Sequence, residues 1–285
     1  MPAGFWFCQE AAGMFIIPRK KGNSMSTIRK YVIGVFAACS LLCAWKASAG
    51  AAVALSSREL HYTAQPGDKI TGSITVYNHG KADRTLKAYM EDFMYAEPFT
   101  GAKDFLAAGV TEHSLSNWVL LGLREFIVPA GGEQEIPFTI QVPAETSEGG
   151  YYAILIFEED ARPMKGNKAI GVVQRSGCAV FVDTPGVVPQ AALKDIRVDN
   201  AEVSGTLRNT GKNVVVTEGS FFVVDTDGVP HDRGMFPRIY LPAGEKTAFS
   251  ASLRDELPPG EYTLVLTFGL GAGEVLVKEI GFSAQ

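Results

Sequence analysis

Cysteine is scarce in this 285-residue chain, and where it is scarce matters. Cys8, Cys39 and Cys43 all precede residue 50, which leaves Cys178 alone in the remainder. No intramolecular disulfide and no cysteine-type zinc site can therefore form after residue 50. Cys178 reads as a small buried hydrophobe on a strand, with a reactive thiol as the alternative. Basic excess is also missing. Met1–Ala49 carries six of the 26 Lys/Arg and one of the 31 Asp/Glu, leaving 20 against 30 and a formal net charge of −10. That balance argues against nucleic acid and against an anionic membrane surface as partners. His61, His79, His113 and His231 are scattered, with no metal-ligand spacing. There is no Gly-x-Ser-x-Gly elbow and no phosphate-cradling loop, so neither an enzyme nor a cofactor is expected. Glu158-Glu159-Asp160 and Asp225-x-Asp227-Gly228 lack the spaced ligands of a calcium loop and read as a solvated strand end and a turn.

No apolar run is long enough to span a bilayer. Tyr31 to Trp45 is uncharged over fifteen residues, short of the roughly 20 that a spanning helix needs. It follows the basic Ile28-Arg29-Lys30 and precedes Ala47-Ser48-Ala49, the small-x-small pattern of a cleavage site. Residues 25–49 are thus expected to be a cleaved signal peptide that sends the protein to the periplasm or another extracytoplasmic compartment of the envelope. Met1 to Ser24 places Glu10 and Pro18 ahead of the basic cluster and does not behave as part of that signal. Translation is expected to start at Met25, with residues 1–24 a mis-annotated extension.

What remains is strand pattern throughout. Ile70, Gly72, Ile74 and Val76 alternate with polar residues before a turn at Asn78-His79-Gly80. Pro129-Ala130-Gly131-Gly132 precedes Ile136, Phe138, Ile140 and Val142. Tyr151 to Phe157 and a long segment from about Ala169 to Asp183 follow. Pro98 to Asn117 breaks the pattern and is expected to hold a short helical excursion over one end of the sandwich. Thr184-Pro185-Gly186-Val187-Val188-Pro189 reads as a linker, since its two prolines cannot donate to a ladder. The pattern then restarts, with Asn209-Thr210-Gly211 and Pro242-Ala243-Gly244-Glu245 repeating the earlier turns. The fold class is all-β: two immunoglobulin-like β-sandwich domains in tandem, over residues 50–183 and 191–285, with a linker at 184–190.

Three stretches carry a resemblance. VALSSRELHYTAQPGDKITGSITVYNHG (53–80), FIVPAGGEQEIPFTIQVPAETSEGGYYAILIFEE (126–159) and AIGVVQRSGCAVFVDTPG (169–186) resemble successive strands of the periplasmic pilus chaperones of the chaperone–usher type. The resemblance implies an exported chaperone-like protein that holds a secreted protein subunit, such as a pilus or fibre subunit, by β-augmentation on an edge of domain one. An outer-membrane assembly protein is a further implied partner. Transferred by position, the edge falls on Ile170, Val172 and their alternates up to Val180 and Val182. The other reading is that these residues are core. The family also anchors a subunit's terminal carboxylate with an Arg on the first strand and a Lys on the last. Arg58 lies close to the first position, or Glu59 if the alignment shifts. Gly177-Cys178-Ala179 stands near the second, with no Lys, and Arg175 is the nearest cation. The alternative function is a structural or adhesion protein of the envelope that binds glycan or another envelope protein through its loops.

Overall fold

The computed structural model describes residues 53–160, 173–199, 202–254 and 257–284. The expected signal peptide and extension, and with them Ile170 and Val172, lie outside the described residues. Ten strands build the first sandwich: β1 (Val53–Leu55), β2 (Glu59–Thr63), β3 (Lys69–Asn78), β4 (Arg84–Tyr95), β5 (Lys103–Leu106), β6 (Val119–Leu121), β7 (Glu125–Val128), β8 (Glu133–Gln141), β9 (Gly150–Glu159) and β10 (Arg175–Asp183). One of its sheets runs β1-β3-β8-β6. The other runs β2-β10-β9-β4-β5, with β7 also on β4. The second sandwich holds β11 (Ala191–Asp199), β12 (Glu202–Asn209), β13 (Val215–Asp225), β14 (Pro230–Met235), β15 (Ile239–Leu241), β16 (Lys246–Ser252), β17 (Gly260–Gly271) and β18 (Glu274–Ala284). Its sheets run β11-β12-β16 and β14-β13-β17-β18, with β15 on β13. The architecture is two immunoglobulin-like sandwiches in tandem.

Period-two burial explains why these segments are strands. In β3, Ile74 and Val76 are buried while Ser73 and Thr75 are not; β8 answers with buried Ile136, Phe138 and Ile140. In the second domain Phe221, Val223, Leu264, Leu266 and Phe268 close the core in the same alternation.

A shared device staples each sandwich. Asn78 and Asn209 are both fully buried at the end of an early strand. The Asn78 side-chain amide donates to the Val128 and Pro129 carbonyls at 3.0 Å, and that of Asn209 to the Asn213 and Leu241 carbonyls at 2.8 Å. The Gly80 and Gly211 N–H groups donate to the respective Asn Oδ1 atoms, each at 2.9 Å. Each asparagine thus ties its turn to the proline-glycine turn of a later strand, and leaves no polar group of its own unmade.

The segment Pro98–Asn117 differs from its expectation. It contains β5, a loop, and the start of a 3-10 turn at Ser116–Trp118 in place of an amphipathic helix. Buried Asp92 organises it. Its carboxylate accepts from the Val110 and Thr111 N–H groups and from the hydroxyls of Thr111, Ser114 and Ser116, at 2.5–3.1 Å. Burial alone would raise the Asp92 pKa, but these bonds outweigh it and hold the carboxyl below its ordinary value.

The segment after β10 is anchored to the first sandwich. Thr184 is buried, and its Oγ1 accepts from the Gly149 N–H at 2.9 Å. Between the sandwiches, the Gly150 N–H donates to the Lys212 carbonyl at 2.9 Å and the Tyr240 N–H to the Phe99 carbonyl at 2.8 Å. The Asn213 amide donates to Asp183 at 3.2 Å, and burial raises the Asp183 pKa.

Candidate functional site

Strand β10 has two unlike halves. Ala179–Asp183 pairs with β9 on one side and, in parallel, with Glu59–Thr63 of β2 on the other. Arg175–Cys178 pairs with Phe157, Ile156, Leu155 and Glu158 of β9, and among the described residues nothing pairs with its other side. Backbone groups alternate in direction along a strand. The Ala179 N–H points away from β9, to the Arg58 carbonyl at 2.9 Å, while the Gln174 carbonyl points toward β9 and accepts from the Glu159 N–H at 3.0 Å. By that alternation the N–H and C=O groups of Arg175 and Gly177 face the open side. They form a short free ladder that ends where β2 begins.

The side chains of the open half are small. Ser176, Gly177, Cys178 and Ala179 follow Arg175. A Cβ at Gly177 would stand 2.6 Å from Ile154 Cδ1, so the strand surface there is kept bare by packing. Cys178 is fully buried, and burial pushes its thiol up to about 12; it is a core hydrophobe and an unreactive thiol at neutral pH.

Beside this half lies a cleft of about 370 Å³ with Ile154, Ile156 and Gly177 as its floor and Lys103, Phe105 and Arg175 on its rim. The hairpin of β4 and β5 supplies the rim, because Tyr95 pairs with Lys103 and Phe93 with Phe105. Lys103 Nζ sits 5.4, 4.9 and 5.8 Å from the ring centres of Phe93, Tyr95 and Tyr240, the last contributed by the second domain. Burial lowers its pKa. No carboxylate lies within 4 Å of it among the described residues, so the aromatic faces hold a cation with its hydrogen-bond donors unspent.

The sequence-derived residues separate into distinct roles. Arg175 is fastened inward. Its guanidinium pairs with Glu91 at 2.5 Å and with Glu158 at 3.4 Å, and Glu158 also accepts from the Tyr89 hydroxyl at 2.6 Å. Burial, together with that bond, pushes the Tyr89 pKa up to about 12. Arg175 thus fixes the start of β10 onto β9 and β4, and its charge is already matched. Arg58 is exposed, and what it gives the site is its carbonyl. Val180 and Val182 depart from the edge expectation. They are 2% and 0% exposed, and their strand segment is flanked by β9 and β2, so they are core residues. The acidic run is also spoken for: Glu159 pairs with Arg84 at 2.8 Å and Asp160 with Lys87 at 3.4 Å.

Lys103 and Phe105 were not legible as site residues. Lys103-Asp104-Phe105-Leu106 is too short to mark itself, and the aromatic cage comes from a neighbouring strand and from the other domain. The turn signal Pro98-Phe99-Thr100-Gly101 was the one local clue to a hairpin here.

No protein-family model matches the chain, and no curated protein matches it in sequence. Solved structures similar to it include the class 5 fimbriae chaperone CfaA, at 12% identity and a TM-score of 0.49 over 80% of this chain and 98% of that one. Another is the chaperone–tip subunit pre-assembly complex CsuC–CsuE from the archaic chaperone–usher Csu pili of Acinetobacter baumannii, at 11% identity and 0.45 over 81% and 98%. The E. coli chaperone DraB matches at 11% identity and 0.43 over 82% and 97%. At these identities and TM-scores the likeness does not extend to function.

Proposed function

We propose that this protein is an exported, non-enzymatic chaperone that captures an extended segment of a secreted partner subunit on the open half of β10. The observation that carries the reading is the ladder at Arg175 and Gly177, unpaired among the described residues, on a strand whose other half is closed by β2. A strand added there gains backbone hydrogen bonds on the free side, while its alternate side chains meet the cleft over Gly177. The residues before Arg175, with Ile170 and Val172, continue that edge in this reading. Lys103 then faces a carboxylate of the captured segment near the point where β2 ends the free ladder. The work is done in the periplasm, with an outer-membrane assembly protein as the next partner.

The test is a proline on the free side of the strand. Val173 is in phase with Arg175 and Gly177, so Val173→Pro removes an N–H from the open edge and none from the pairing with β9. Tagged protein is crosslinked in its own envelope and recovered. The expected result is a secreted subunit that comes with the parent protein and is lost with Val173→Pro, while the circular dichroism spectrum and melting temperature are unchanged. A folded Val173→Pro variant that still recovers the same partner, or recovery of glycan alone, contradicts capture by this edge.

A further inference from the structure

The outer face of the three-stranded sheet in the second domain gathers cations on an acidic chain. Residues 191–285 hold nine Lys/Arg against thirteen Asp/Glu, yet four of the nine fall on this one face. In the register of β11, β12 and β16, Ala192, Arg208 and Lys246 form one row, Lys194, Thr206 and Ala248 the next, and Arg197, Ser204 and Ser250 a third. Lys194, Arg197, Arg208 and Lys246 are all exposed. None of them has a carboxylate within 4 Å among the described residues.

The arrangement is unfavourable for the free protein. Arg208 and Lys246 stand directly opposite each other on antiparallel strands, where like charges destabilise the pair, and Lys194 is diagonal to Arg208. Acids do occur on the sheet: Asp199 and Glu202 oppose each other at its far end, and Asp195 sits in the bulge beside Arg197. Cations and hydroxyls thus gather at one end of the sheet, with one carboxylate, that of Asp195, exposed between Lys194 and Arg197. A groove of about 230 Å³ beside Arg197 is lined by Asp195, Ser204, Thr206 and Ser250, and the three cations Lys194, Arg208 and Lys246 are not part of its lining.

We propose that this cationic end docks an extended acidic segment of a partner protein. Neighbouring strands lie about 4.8 Å apart, so Lys194, Arg208 and Lys246 span three adjacent strands within about 10 Å. At physiological ionic strength the Debye length is about 8 Å, so a short acidic segment feels these three charges more than the acidity of the rest of the chain. Arg208 can take a carboxylate with both arms of its fork, and the adjacent hydroxyls supply further donors. A lipid surface fits less well. Among the described residues none of the large exposed apolar side chains lies on this face, and interfacial binding draws much of its strength from buried apolar area. This docking is independent of the β10 edge and stands or falls without it.

The test uses fluorescein-labelled decaglutamate and the purified protein, read by fluorescence polarisation. Lys194→Gln/Arg208→Gln/Lys246→Gln is compared with Arg233→Gln/Arg254→Gln/Lys278→Gln, which removes the same charge elsewhere on the domain. Binding that falls at least tenfold in the first variant and at most twofold in the second supports the proposal. The first variant should melt at or above the parent temperature, because a like-charged pair is relieved. Equal affinity in both variants, no binding of decaglutamate at 50 mM salt, a lowered melting temperature in the first variant, or preferential binding of phosphatidylglycerol vesicles through the same residues each overturns it.

Discussion

Two of the open edges among the described residues, β18 and the first half of β10, are dressed in opposite ways. In the second domain β18, eleven residues long, pairs among the described residues with β17 alone and carries Glu274, Lys278 and Glu279 along the strand. Charged side chains on an edge oppose pairing with another chain. The open half of β10 is only four residues long and carries Ser176, Gly177 and Cys178 behind an Arg175 whose charge is turned back onto Glu91 and Glu158. The longer edge is guarded and the shorter one is bare. In the proposed reading the side chains that flank the ladder, and not its length, decide which edge takes a partner strand.

The comparison depends on the first sandwich holding β4, β5 and β10 in place, and the largest expected effect tests that. Asp92→Ala leaves two N–H groups and three hydroxyls in the Val110–Ser116 segment without their acceptor, and should cost about 3 kcal/mol or more in a denaturant melt. The same carboxylate sets a pH dependence. Its folded pKa is depressed, so its stabilisation is complete above the ordinary 3.8 and is lost as pH falls below that through the folded value. A melt series from pH 6 to pH 2 should therefore show a loss in the parent protein that Asp92→Asn lacks.

Next come the twin staples. Asn78→Ala and Asn209→Ala each strand buried carbonyls and should cost about 2 kcal/mol, the first in the domain that carries β10 and the second in the domain that carries β18. Partner capture should suffer with the first and survive the second. A smaller effect is expected from stripping the guard of β18. Lys278→Val with Glu279→Val should leave the fold intact and produce concentration-dependent self-association in sedimentation velocity, while the parent stays monodisperse at the same concentration.

Much of the architecture could be read from residues alone. Alternation and turn chemistry gave two sandwiches and the paired Asn-x-Gly and Pro-x-Gly turns, because both signals are local. Cys178 was likewise legible as a buried hydrophobe, and burial accounts for its raised pKa. What could not be read was the division of β10. Ala179 and Gly177 belong to one continuous strand and direct their backbone groups to the same side, and their fates differ because β2, more than a hundred residues earlier, begins pairing at Glu59. Lys103 was hidden for a related reason: its aromatic surroundings come from Tyr95 across a hairpin and Tyr240 in the other domain. The loop over Pro98–Asn117 misled because a buried carboxylate, rather than a helical hydrogen-bond pattern, holds it.

Amide hydrogen exchange along β10 is the most direct measurement of the central claim. Arg175 and Gly177 should exchange quickly in the free protein, while Ala179 and Phe181, covered by β2, should be protected to near the global stability. Addition of the captured subunit should slow Arg175 and Gly177 and leave the other two unchanged. Uniform protection from Arg175 to Phe181 in the free protein would mean that the ladder is already closed, and would contradict the account.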